Sequence, residues 1–422
     1  MIGRSGLLTH ESRLVRQLEE KEKLNSTLTL SPEYRLLLAG CRPNVSPANL
    51  TRMQDLLKAD IDWNLLTGLA EKHALLPSFF INLKKAGRDK VPVEIFAALE
   101  KTYLFFVDSQ SRKLDELLRL SGLFEEKGVP MVPYKGPVLS QIYYGDVFFR
   151  ESADIDIMVP PEKALQAQEI LLSEGYIYCR DEMRLIKDPS FLASEYSLRF
   201  INQFPFLKQI GVDLHWQLFD DGFVNMPAEM VMAAAKQEEI FGQQLRVLPA
   251  EWTLLIVSAH SAKHGWFRLN WVVDAAQLLD HIGNEVTELV RLARKTESYE
   301  MLLLSSALVS ELLEGKVPEP LAKEFSGRKN IKAANARLTA QIFEQSNAEK
   351  WKLLDWWLFY VSLKGTLWQK ICLAFNLSTH IDLHDWSRWQ LPPQLFWLYK
   401  PLHLARLVWI SLPHLAQRLR QR

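Results

Sequence analysis

Apolar residues recur at intervals of three and four over most of the chain, the spacing that lines one face of a helix. Leu65, Leu69 and Leu75 carry this pattern early, and Leu114, Leu117, Leu118 and Leu120 carry it further on. It predicts helices throughout residues 32–128. Pro92 to Lys127 reads as one long helix, with proline near its start and Gly128 just past its end. The texture changes at Gly128. MVPY (131–134) is short and β-like, and KGPVLSQIYYGD predicts a helix that starts after Gly136. ADIDIMV (153–159) alternates polar and apolar side chains, the period-two mark of a strand, and Pro160 and Pro161 end it. EKALQAQEILLSEG is a helix with Gly175 beyond its end. YIYCR (176–180), YSLRFINQF (196–204) and IGVDLHWQL (210–218) read as further strands.

Five segments follow from this pattern. Residues 1–31 are a polar tail or frayed helix, 32–128 an N-terminal helical domain, and 129–221 a compact mixed α/β core. Residues 222–372 are a second helical domain, with segments opened by Pro249 and Glu251 and by Arg268. Residues 373–422 hold a loop (377–393) and a basic amphipathic C-terminal helix. The predicted class is α+β and helix-rich overall.

Composition narrows the function classes. The 422 residues suggest about two to four domains. Lys plus Arg and Asp plus Glu both number 50, which argues against nucleic acid held by bulk electrostatics. Hydrophobic residues at 48% and charged residues at 24% exclude disorder as the dominant state. Cys41, Cys179 and Cys372 stand far apart, which gives neither a disulfide framework nor a thiolate zinc site and fits a reducing, cytoplasmic setting. The N-terminus becomes charged too early for a signal peptide. No uncharged apolar run of about 18 residues predicts a transmembrane helix. After Asp385 the only charges are basic: Arg388, Lys400, Arg406, Arg418, Arg420 and Arg422. Such a helix either docks on its own protein or touches a membrane surface from one side.

The sharpest chemical feature is Asp154-Ile155-Asp156. On a strand, residues i and i+2 point the same way, so both carboxylates leave one face while Ile155 and Ile157 enter the core. Asp213 sits on another predicted strand. If the two strands are neighbours, three carboxylates converge, and each like-charge pair costs about 4 kcal/mol at 4 Å. A proton or a divalent cation makes such a cluster tolerable, and hard oxygen ligands suit Mg²⁺. The bland alternative is a D-h-D on an ordinary strand edge. Lys135-Gly136 lies between a short strand and a helix, where glycine lets backbone N–H groups approach a phosphate. An ordinary turn with a surface lysine is the competing reading. Arg150 either reaches a triphosphate or pairs with Asp154 or Glu151. His215 shares the face of Asp213, to touch substrate or to sit as a satisfied core histidine, and Trp216 faces the core. His260 and His264 share a helix face, which lines a cleft or a polar surface between domains. HSAKH lacks the glutamate of a zincin motif, and the sequence holds no Walker, nucleophile-elbow or dinucleotide fingerprint.

YKGPVLSQIYYGDVFFRESADIDIMV followed by VDLHW resembles the bacterial uncharacterised nucleotidyltransferase family of the DNA polymerase β-like superfamily. SAHSAKHGWFRLNWVVDAAQLL and LPPQLFWLYKPLHLARL are similar to segments of the same family, as is the helical leader with Asp62-Trp63. The likeness extends over roughly residues 32–410. It implies a small mixed β-sheet core flanked by helical domains. It also implies transfer of a nucleoside monophosphate from an NTP to an acceptor, with pyrophosphate released and two Mg²⁺ ions in attendance. Asp154 and Asp156 would bind metal, Asp213 would complete the site near the attacking group, and Lys135 and Gly136 would meet the triphosphate. Arg150, His215 and His264 are further candidates for nucleotide contact. The acceptor stays open among small molecules, sugars, peptides and proteins. Where the superfamily turn reads Gly-Ser or Gly-Gly, Pro137 follows Gly136 here and removes one N–H donor. That departure favours the alternative of a non-catalytic nucleotide-binding or scaffolding module.

Overall fold

The computed structural model describes residues 30–179, 196–203, 209–219, 222–343, 353–379, 385, 388–389, 391–407 and 409. Most of the expected polar tail and the end of the expected basic helix lie outside these residues. The class is α+β and helix-rich, with one small mixed sheet and one hairpin. Strands β1 (Val132–Pro133), β2 (Ile155–Met158), β3 (Tyr176–Tyr178), β4 (Ser197–Asn202) and β5 (Gly211–His215) form the sheet in the order β1-β2-β5-β4-β3. Only the central β2–β5 pair is parallel.

The two faces of this sheet have different neighbours, and alternation along the strands is the cause. Ile155, Ile157, Val212 and Leu214 point to one side and join a core with Leu117, Leu120 and Phe124. Met158 belongs instead to the large core of the flanking helices. That core unites Leu36, Phe79 and Phe80 from the N-terminal helices with Leu254, Val272 and Leu303 from the later ones. The long helix Val93–Glu126 serves both cores: Phe96 and Leu99 enter the helical one, and Leu117 to Phe124 enter the α/β one. It ends where Gly128 turns with φ +67°. The polar face of β2 and β5 is thereby turned toward the helical body, and the chemistry lies at this junction.

Three boundaries differ from the pattern-based expectation. The strand expected over 153–159 is shortened to Ile155–Met158, so Asp154 stands just before it. The stretch expected to be helical after 221 contains a hairpin, β6 (Lys236–Ile240) and β7 (Gln243–Val247). Its polar sequence hides the strands, because Ile240, Leu245 and Val247 are the inward positions and Phe241-Gly242 supply a two-residue turn with positive φ. The loop expected over 377–393 is helical over its first residues, since helix Leu367–Thr379 runs through 377–379. Among the described residues, no helix is long and apolar enough to cross a membrane. Tyr399 of the C-terminal segment is buried against the α/β core.

His73 ties the N-terminal helices to helix Leu269–Ile282. Its Nδ1 accepts from the Leu269 backbone N–H at 3.3 Å, and its ring is fully buried. Burial pushes its pKa down to about 3, so the fold holds it neutral. A depressed histidine takes up its proton more readily in the unfolded chain, so its contribution is complete above about pH 6.5 and is lost as pH falls toward the folded value. Urea unfolding at pH 6.5 and pH 5 should therefore differ by about 1.5 kcal/mol more for the parent than for His73→Asn. Equal pH slopes in the two proteins would contradict this.

Candidate active site

Parallel pairing sets Asp156 beside Asp213, with their Cα atoms in register across β2 and β5. Two residues on, His215 follows Asp213 on the same face. One ligand atom from each of Asp156, Asp213 and His215 lies within 4.8 Å of the others. Asp156 and His215 are buried and Asp213 is partly exposed. Ile155, Ile157 and Trp216 enter the core as alternation requires.

The cluster is ringed by cations. Lys135 brings Nζ to 4.0 Å from Asp156 Oδ1 and donates to His260 Nδ1 at 3.0 Å. Tyr134 donates its hydroxyl to Asp156 Oδ1 at 3.4 Å. Arg199 on β4 is in register with Asp213 and donates through Nε to its Oδ1 at 2.7 Å, while its Nη2 pairs with Asp154. Asp154 is thus held at the edge, bridged to Asp213 by a guanidinium.

These neighbours split the two central carboxyls. Burial pushes Asp156 up, but Lys135 and His215 outweigh it and hold the carboxyl below its usual range. Asp213 is raised, by burial and by the charge of Asp156, against the pull of Arg199. Lys135 is lowered by burial, which Asp156 partly offsets. His260 lies well below the ordinary imidazole value through burial and the Lys135 charge. It is neutral, and its Nδ1 lone pair is free to accept from the lysine. His264 is pushed down to about 4 by burial and by Lys263 and Lys135.

Backbone geometry brings the phosphate-side candidates in. Gly136 has φ +63°, which favours glycine, and a Cβ there would lie 3.5 Å from the Asp154 carbonyl oxygen. The turn therefore packs directly on the backbone that carries Asp154. Helix Gly136–Tyr144 begins at this point with no side-chain cap from Lys135. Its first-turn N–H groups and the helix dipole favour an anion there, less the one donor that Pro137 lacks.

Arg150 has a different partner from those expected. It is buried, and its Nε and Nη2 donate to Asp274 at 2.7 and 2.9 Å. Tyr144 donates to the same carboxylate at 2.6 Å. His264 sits against His260 and Trp271, at ring separations of 4.7 and 5.6 Å, so it backs the Lys135–His260 contact.

The family model of an uncharacterised nucleotidyltransferase family matches residues 59–314. The chain belongs to that family. The matched span holds both strands of the aspartate pair, the Lys135–Gly136 turn, and helices Ala250–Lys263 and Leu269–Ile282. No curated protein matches the chain. As a member of a nucleotidyltransferase family it has a transferase role, and an NTP is the substrate that role requires.

Two site contacts were not legible in the motifs. Arg199 reads as one polar position in the alternation of SLRFIN, and only sheet order puts it across from Asp213. His260 was visible as half of a histidine pair, but its contact with Lys135 spans 125 residues of sequence.

Proposed function

We propose that the protein transfers a nucleoside monophosphate from an NTP to an acceptor hydroxyl and releases pyrophosphate. The observation that carries this reading is the side-by-side register of Asp156 and Asp213, with His215 on the same buried face. The donor set fits divalent ions: closely spaced carboxylates, one of them with raised proton affinity, call for added positive charge. Asp156 and Asp213, with Asp154 at the rim, would hold Mg²⁺. When bound, Mg²⁺ neutralises the triphosphate and the charge that develops on it during displacement.

The side chains do the rest by position and charge. Lys135, steadied by neutral His260, presents an ammonium to the phosphates. The uncapped start of helix Gly136–Tyr144 adds N–H donors. Asp213 would be the carboxylate placed to take the proton of the acceptor hydroxyl while it completes the acidic pair. The acceptor oxygen bonds to the α-phosphorus as the bond to the β-phosphate oxygen breaks. Arg199 neutralises Asp154 and Asp213 while the site is open, and its half-exposed side chain can leave them when a nucleotide arrives. The acceptor is a small molecule, sugar, peptide or protein bearing a hydroxyl.

The test is calorimetric titration with each of the four NTPs in the presence of Mg²⁺, alongside turnover of α-labelled NTP. Binding should be present in the parent and absent in Asp154→Ala/Asp156→Ala. Unchanged binding in that double variant removes the assigned site. Binding without turnover across a broad acceptor panel moves the reading to a nucleotide-binding module, which the missing donor at Pro137 favours.

A further inference from the structure

We infer that one divalent ion of this site is held by a mixed set of oxygen and nitrogen ligands, Asp156, Asp213 and the imidazole of His215, and that this position takes Mn²⁺ in preference to Mg²⁺. The inference rests on the nucleotidyl-transfer reading and specifies its ion.

Two carboxylates alone do not define a metal site, and the independent observation is His215. It is 7% exposed, yet neither Nδ1 nor Nε2 has a hydrogen-bond partner among the described residues. Its Nε2 faces the cluster at 3.6 Å from Asp156 Oδ1, a charge contact that helps to hold Asp156 low but is longer than a hydrogen bond. Buried polar atoms are rarely left without partners, and those that are call for an unseen water or ion. The ring is also fixed in orientation. Tyr134 meets it edge-on at 5.4 Å and 82°, and Tyr196 lies 6.1 Å away on the other contact. The backbone beneath it is locked in register with Met158 of β2.

The spacing suits one ion. Ligands about 2.1 Å from a common octahedral centre stand roughly 3 to 4 Å apart. The three donor atoms here lie within 4.8 Å of one another, so a small inward movement of side chains closes the set. Asp154 falls outside this group: it stands before the strand, and Arg199 bridges it to Asp213 from the rim. His215 therefore replaces Asp154 as the third protein ligand of this ion, and Asp154 is left to the ion that travels with the phosphates.

Nitrogen changes the preference. Carboxylate, water and phosphate suit both Mg²⁺ and Mn²⁺, but imidazole suits transition ions, and Mg²⁺ gains little from it. Mn²⁺ keeps the oxygen preference that phosphate chemistry needs and accepts the imidazole as well.

The experiment uses the full-length protein without nucleotide. Mn²⁺ binding is followed by the loss of its free-ion electron paramagnetic resonance signal, and Mg²⁺ by competition. Pulsed measurements on the bound Mn²⁺ then look for coupling to a directly ligated nitrogen. The expected result is Mn²⁺ binding about tenfold or more tighter than Mg²⁺, with a ¹⁴N coupling that changes to ¹⁵N when histidine is labelled. His215→Phe keeps a ring between the two tyrosines. It should lose the coupling and weaken Mn²⁺ about tenfold or more, with Mg²⁺ changed by less than about threefold.

Bound Mn²⁺ without nitrogen coupling overturns the inference, and the labelled parent protein answers this even if the variant folds poorly. Equal weakening of both ions in His215→Phe overturns it too, because a merely structural histidine would not discriminate. Failure here leaves Mg²⁺-dependent NTP binding to stand or fall on its own titration, so the two readings are separable.

Discussion

Asp213→Asn is expected to lower nucleotidyl transfer about 10³-fold, the scale of losing one preorganised charged group at a reacting centre, without lowering the thermal midpoint. The two halves of this result have one cause. In the fold the Asp213 carboxyl is raised by burial and by the neighbouring Asp156 charge. A carboxyl with a raised folded value favours the fold in its protonated form, and that contribution is lost as pH rises through the folded value. Near neutrality the ionised group sits against Asp156 at a cost that asparagine avoids. The amide oxygen can still accept from Arg199 Nε, so the 2.7 Å contact has a substitute. What asparagine cannot do is take a proton or offer a cation a negative charge. Single-turnover assays and calorimetry on the same preparation check both halves. A fall of several degrees with turnover intact would make Asp213 a structural partner of Arg199 and remove it from the chemistry.

Asp274→Ala should produce the largest loss of stability, about 3–5 kcal/mol, as expected when one partner of a buried ion pair is removed. Asp274 is fully buried and receives two guanidinium donors and one hydroxyl. Its removal leaves the buried charge of Arg150 uncompensated and the Tyr144 hydroxyl without its acceptor. The position magnifies the effect. Arg150 lies in the segment that leads into β2, and Asp274 lies on helix Leu269–Ile282 in the helical core. The pair fastens the sheet to the helical body just beside the aspartate cluster. Restoring apolar packing with Arg150→Met/Asp274→Leu should recover most of the loss, because neither charge then needs burial. Urea unfolding of the single and double variants measures both. A single variant within about 1 kcal/mol of the parent would show that water reaches the guanidinium and the junction is looser than its burial indicates.

Much of the local structure could be read along the chain. Pro92 and Gly128 framed the long helix, because proline fits the first turn of a helix and glycine the left-handed exit. Alternation of Ile155 and Ile157 with Asp156, and of Val212 and Leu214 with Asp213, separated the core side of each strand from the chemical side. The hairpin at 236–247 escaped because its strands are mostly glutamine, glutamate and lysine. Its inward residues alone carry the signal. The alternating stretch at 153–159 overstated the strand chiefly at its start, where Asp154 stands before the ladder; at its end Val159 still donates to the His215 carbonyl at 2.9 Å.

The sequence by itself determined which residue types face which way: local alternation and turn chemistry need only neighbours in the chain to act. It placed the acidic pair, the glycine turn and the helical flanks. Tertiary structure alone decided the partners. Sheet order 1-2-5-4-3 put β5 against β2 and carried Arg199 to Asp213. Packing of the helical body on the polar face of the sheet gave Lys135 to His260 and Arg150 to Asp274. The physical reason is range. A charge selects its counter-ion by distance in space, and residues more than a hundred positions apart come within 3 Å only after two hydrophobic cores have closed.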